Sequence, residues 1–149
     1  MAEKKVKEET TEEQEPLLEE EVEEVEEGLE VLRKLSLPPE VTEAMEKRWK
    51  KEFPNCEVFA MRFSDTEAYV FRTLTRFEYK TMLKTAAQSQ MSAQELELHQ
   101  EENVVERCLL HPKLNRVDME SMKAGTITLL ADAILNASGF TAMGGPVRL

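Results

Sequence analysis

The run Phe59-Ala60-Met61-Arg62-Phe63-Ser64-Asp65-Thr66-Glu67-Ala68-Tyr69-Val70-Phe71-Arg72-Thr73-Leu74-Thr75-Arg76-Phe77-Glu78-Tyr79 changes its period once, and the change decides the fold. Phe59, Met61 and Phe63 alternate with Ala60 and Arg62; Ser64 to Glu67 is polar; Tyr69, Phe71 and Thr73 then alternate with Val70 and Arg72. Alternation on both sides of a short polar turn predicts an antiparallel β-hairpin. At Thr75 the pattern becomes helical. Thr75-Arg76-Phe77-Glu78 matches a capping box, in which the threonine hydroxyl accepts from the N3 amide and the glutamate reaches back to the cap amide. Tyr79, Met82, Leu83 and Ala86 then form a buried stripe, while Arg76, Lys80 and Lys84 share another face. Two strands alone are marginal in water, so helices must cover them. The expectation is an α+β, mainly helical fold with one antiparallel hairpin under four or five helices.

Upstream, Leu37-Pro38-Pro39 forbids helix before Pro38 and offers a proline at a helix start, so a helix is expected over Val41 to Phe53, ending at Pro54. Met45, Trp49 and Phe53 share one face of it, and Trp49 reads as a core anchor. Downstream, Ser92-Ala93-Gln94-Glu95 repeats the capping-box spacing and starts a helix running to about Leu110, stopped by Pro112. Leu98, Val105, Cys108 and Leu109 suit a core, but His99 to Asn103 is wholly polar and should project toward solvent or a partner. Pro112 to Arg116 reads as a loop and Val117 to Ala124 as a short helix. Gly125 breaks that segment, Thr126 reads as the next N-cap, and Leu129, Leu130, Ala133, Ile134 and Ala137 follow at helical spacing. Ser138-Gly139-Phe140 closes it, with Gly139 in the left-handed conformation at C′ and Phe140 folding back.

The charge is divided unevenly. The first 32 residues carry fourteen Glu against Lys4, Lys5 and Lys7, a net of −11, whereas the other 117 hold sixteen acids and sixteen bases. The expected organisation is an acidic, low-complexity, disordered arm over 1–36, a single globular domain over 37–143 and a flexible tail over 144–149. Within the arm, Leu18, Val22, Val25, Leu29 and Leu32 recur at the 4-3-4-3 spacing of an apolar helical stripe. Self-repulsion favours a solvated spacer, and the stripe leaves open a helix formed on a partner.

No catalytic constellation appears. With five glycines there is no phosphate-cradling loop, dinucleotide fingerprint or nucleophile elbow, and most carboxylates sit in the arm, where they cannot be held for acid–base work. Two Cys and two His invite a zinc reading through Cys108 and His111, but Cys56 and His99 lack the paired spacing of zinc modules. Neither metal nor cofactor is expected, and the cysteines read as reduced structural thiols. No apolar run approaches the roughly 20 residues of a bilayer span. The N-terminus lacks the apolar core of a secretory signal, so a cytosolic protein that avoids membranes is expected. Net acidity argues against nucleic acid, whose phosphates need Lys or Arg.

Phe71-Arg72-Thr73-Leu74-Thr75-Arg76-Phe77-Glu78-Tyr79 resembles the strand-to-helix signature of small tailed-bacteriophage morphogenesis proteins, above all tail assembly chaperones. Val104 to Pro112, and Lys123-Ala124-Gly125 through Ile134 to Ser138-Gly139-Phe140, are similar to their second half. The resemblance covers about residues 55 to 140. It implies a non-enzymatic factor that binds the tape measure protein before tail tube subunits polymerise around it, acting in the host cytoplasm during assembly. It carries over no active site.

The expected role is therefore protein binding in virion assembly, through an apolar helix-in-groove contact. The candidate partner-binding residues are Arg72, Arg76, Tyr79, Lys80, Met82, Lys84, Leu96 and Leu98, with Tyr79, Met82 or the 96 to 105 segment as the candidate surfaces. Thr75, Glu78, Ser92, Glu95, Cys108, Pro112, Gly125, Gly139 and Phe140 serve capping and packing. The basic row of Arg76, Lys80 and Lys84 is either a solvated face or a dock for an acidic segment, the arm included. Two rival roles remain: a minor structural component of the phage tail or baseplate, hence of the virion, and an acidic-armed regulator masking a basic partner surface. Self-assembly into a homo-oligomer is left open.

Overall fold

The computed structural model describes residues 15–140 and Arg148, with side chains from Glu20 onward. Residues 1–14 and most of the expected 144–149 tail lie outside the described residues. The chain falls into two compact units, Met1–Leu35 and Ser36–Leu149.

In the first unit, α1 (Glu15–Ser36) is a single helix. This corrects the expectation of a disordered arm over that stretch: the apolar 4-3-4-3 spacing is realised as helix, with Glu30 paired to Arg33 at 3.5 Å and Lys34 at 3.8 Å.

The second unit is built on a three-stranded antiparallel sheet, β1 (Val58–Arg62), β2 (Ala68–Arg72) and β3 (Leu109–His111), in the order β1-β2-β3. The expected hairpin is present, with Phe59 opposite Phe71 and Met61 opposite Tyr69. Ser64 closes its turn by accepting from the Glu67 amide at 3.1 Å. Aromatic pairs fasten the hairpin: the rings of Phe59 and Phe71 stack at 5.9 Å and those of Phe63 and Tyr69 tilt at 5.2 Å. The third strand replaces the expected last turn of the helix before Pro112. Leu109 leaves helical geometry at φ −69°, ψ 124°, and pairs with Phe71 on the free side of β2.

Both faces of the sheet are covered. On one, Val70 and Leu110 pack with Trp49 of α2 (Glu43–Glu52), joined by Val58, Ala60 and Phe53. On the other, Tyr69, Phe71 and Leu109 meet Val105 and Cys108 of α4 (Ala93–Cys108), Leu130 and Ile134 of α6 (Thr126–Leu135), and Met82 of α3 (Arg76–Ala87). Full burial of each such side chain is worth about 1.5–3 kcal/mol.

Helix ends follow local chemistry. The capping boxes at Thr75–Glu78 and Ser92–Glu95 are both closed, and a third, Asn115–Asp118, starts α5 (Arg116–Glu120), shorter than the helix expected there. Helix α2 is capped by Thr42, not by the prolines, which form a turn in which the Val41 amide reaches the Pro38 carbonyl at 3.1 Å. Thr126 is not an N-cap. Gly125 holds that position without a side-chain bond, its carbonyl accepting from Leu129 at 3.0 Å, while Thr126 is buried in the first turn. The chain leaves α6 through a wider turn, Asn136–Phe140, ended by Gly139 at φ 90°, the left-handed geometry that favours glycine.

Candidate functional site

The site begins with what holds α3 in place. Arg72, at the end of β2, donates to both carboxylate oxygens of Glu78, each at 2.9 Å, and to the carbonyls of Thr73 at 3.1 Å and Arg107 at 3.0 Å. Its guanidinium lies 4.5 Å from the centre of the Phe53 ring. One side chain thus binds β2 to the start of α3, the end of α4 and the end of α2. Glu78 also accepts from the Thr75 amide at 3.2 Å and hydroxyl at 3.0 Å. Burial alone would raise the Glu78 carboxyl, but the bonds from Arg72 and Thr75 outweigh it and hold it at about 2. The neighbouring Cys108 thiol is pushed up to about 12 by burial. Arg72 therefore offers a partner almost no surface: it is 6% exposed and its two terminal nitrogens are paired inside the fold, while its buried Nε has no hydrogen-bond partner among the described residues.

A second tie sets the far end. Ser138 accepts from the Leu74 amide at 2.8 Å and donates to the Ile134 carbonyl at 2.6 Å, joining the entry of α3 to the exit of α6. The Phe140 ring then meets Tyr79 edge-on, 4.8 Å between centres. Phe140 reaches across to α3.

Between α3, α4 and α6 lies a solvent-open groove of about 290 Å³. Its floor is apolar, with Met82, Val104 and Ala131 buried. Tyr79, Leu83, Leu135 and Phe140 form its apolar sides, Leu83 45% and Phe140 48% exposed. Glu97, Gln100 and Glu101 of α4 and Asp132 of α6 line the far wall. Arg76, Lys80 and Lys84 are exposed on α3, one step round the helix from Tyr79 and Leu83, and the Arg76 guanidinium lies 5.7 Å from the Tyr79 ring centre. The groove therefore has an apolar floor and an acidic lining, and the three bases are exposed on α3 outside it.

The structure gathers Tyr79, Met82 and part of the 96 to 105 segment into this one place. Met82 belongs to its floor and to the core, so it offers a partner little surface. Leu98 does not join the groove; it is 60% exposed and lines a separate shallow depression with Met91 and His99. Leu96 is half-buried and also outside the groove. The polar stretch of α4, expected to project outward, is partly used internally. Arg116 donates to Glu102 and Asn103, and to Glu106 at 2.6 Å, while Glu101 accepts from Thr128 at 2.9 Å. Asp132 and Leu135 went unread as site residues, whereas Glu97, Glu101 and Val104, within the 96 to 105 segment, stand at the i, i+4, i+7 spacing of one helix face.

Cys56 and Cys108 are free thiols. Among the described residues no group of three or more His, Cys, Asp or Glu side chains is placed to hold a metal ion, and no helix is long and apolar enough to cross a membrane. Glu78 and Cys108, whose titration is displaced furthest, belong to the Arg72 tie and do not line the groove.

No protein-family model, curated protein or solved structure matches this chain.

Proposed function

We propose that this protein is a non-enzymatic binding factor that receives an amphipathic helix of a protein partner in the groove between α3, α4 and α6. The observation that carries the reading is the groove's construction: exposed Leu83 and Phe140 beside a buried apolar floor, with Glu97, Glu101 and Asp132 in its lining. Apolar anchors at i, i+3 and i+4 suit such a floor, and the acidic lining of Glu97, Glu101 and Asp132 would favour basic side chains flanking those anchors on the bound helix. The capping boxes that start α3 and α4 and the Arg72 tie support the reading, since a groove held by rigid elements binds without reordering itself.

The biological setting we propose rests on the resemblance of residues 55 to 140 to phage tail assembly chaperones. On that reading the partner is the tape measure protein, bound in the host cytoplasm during virion assembly, with no cofactor and no chemistry. A permanent place in the tail or baseplate is the alternative, and finding the protein in purified particles would favour it. The test is capture from infected cells with the full chain and with Leu83→Asp, followed by identification of the captured proteins. Tape measure or baseplate proteins held by the first and lost by the second support the proposal. Capture of metabolic enzymes only, or capture unchanged by Leu83→Asp, contradicts it.

A further inference from the structure

Helix α1 presents a second surface. Val22, Val25, Leu29 and Leu32 fall on one side of it, and all are exposed, Leu29 by 60%. Their spacing is that of heptad a and d positions, with Val22 and Leu29 at a, and Val25 and Leu32 at d. In that frame Glu26 and Arg33 are at e, and Glu21, Gly28 and Leu35 at g, the positions that face a second strand across its seam, so the seam is flanked by glutamate over its first two turns. A row of exposed apolar side chains along one side of a helix is a face awaiting cover.

The charge says what the cover is. The helix carries nine Glu against Arg33 and Lys34, a net of −7. Glu20 and Glu24, Glu23 and Glu27, and Glu26 and Glu30 stand four apart, where like charges oppose the helix. A second copy would double that charge along the seam and set Glu26 and Glu21 against their own kind. A strand with Lys or Arg at its e and g positions would neutralise them while its own a and d side chains covered the stripe. Anionic nucleic acid and anionic membranes are repelled by the same charge.

We infer that α1 is one strand of a heterotypic two-stranded coiled coil, whose other strand is a basic amphipathic helix of a protein partner. The apolar stripe supplies adhesion, and the glutamates select a basic partner and disfavour self-pairing.

The test uses the full chain and two synthetic helical peptides as long as α1, both with Leu at every a and d position, one with Lys and the other with Glu at every e and g position. Fluorescence anisotropy at low and high salt reads their binding. The Lys peptide should bind at least about tenfold more tightly than the Glu peptide, less tightly as salt rises, and Leu29→Asp should weaken it at least about tenfold by burying an unpaired charge. Because Leu29→Asp can also weaken the helix, the double variant Glu21→Lys, Glu26→Lys serves as a second arm: it should shift preference toward the Glu peptide. No binding of the Lys peptide, equal binding of both peptides, or binding indifferent to Leu29→Asp and to the charge swap overturns the proposal. So does a dimer of the full chain in sedimentation that Leu29→Asp dissociates, since the occupant would then be a second copy.

Discussion

Arg72 and Glu78 face each other across the junction of β2 and α3 through two parallel 2.9 Å bonds, with side chains only 7% and 15% exposed. A fork of this kind, out of water, fixes the angle at which α3 leaves the sheet and with it one wall of the groove. Removing one partner strands the other. Arg72→Met should cost about 3 kcal/mol, read as a lowered urea midpoint with unchanged slope.

The same pair sets an acid limit. The Glu78 carboxyl lies at about 2 in the folded chain against an ordinary 4.5, so its folded-state value is depressed and the unfolded chain binds the proton first. Its contribution is present above pH 4.5 and is lost as pH falls from there toward 2. A displacement of this size is worth about 3 kcal/mol. Denaturation midpoints collected across that window should fall steeply for the native chain and less steeply for Glu78→Gln.

Cys108 is fully buried and its thiol is pushed up to about 12, so it presents almost no thiolate near neutrality. In the folded chain Cys108 should stay unlabelled by a thiol reagent, and denaturation should release it. Mass mapping of the labelled peptides distinguishes it from Cys56.

Phe140 covers one end of the groove through its edge-on contact with Tyr79. Phe140→Ala should lose about 1 kcal/mol for the ring pair, beyond the area it uncovers. It should also weaken partner binding, whereas Phe77→Ala, on a side chain 79% exposed and outside the groove, should change stability by less than about 0.5 kcal/mol.

Most of this fold was legible in the chain. The hairpin, the boxes at Thr75 and Ser92 and the stop at Gly139 are each written in residues within a turn of one another, which is why local reasoning reaches them. What it missed depends on distant neighbours. Leu109 to His111 has no strand signature of its own and becomes β3 because β2 has a free side and because Leu109 and Leu110 each complete a different core. Arg72 looked like a surface base because its partners at Glu78, Arg107 and Phe53 come from three other elements. For the site, Tyr79 and the α4 segment were readable, whereas Asp132 and Leu135 enter only once α6 is packed beside them. In α1 the helical spacing of the apolar residues was legible, and Glu and Leu are good helix formers, so the charge of the segment does not exclude a helix.

The central claim is that a partner's helix lies between α3, α4 and α6, and hydrogen–deuterium exchange on the full chain, alone and with the protein that co-purifies with it, tests this most directly. Slowed exchange in α3 around Leu83 and in α6 around Asp132, with α2 unchanged, is the predicted result. Unchanged exchange in α3 and α6 in the presence of that protein would contradict the account.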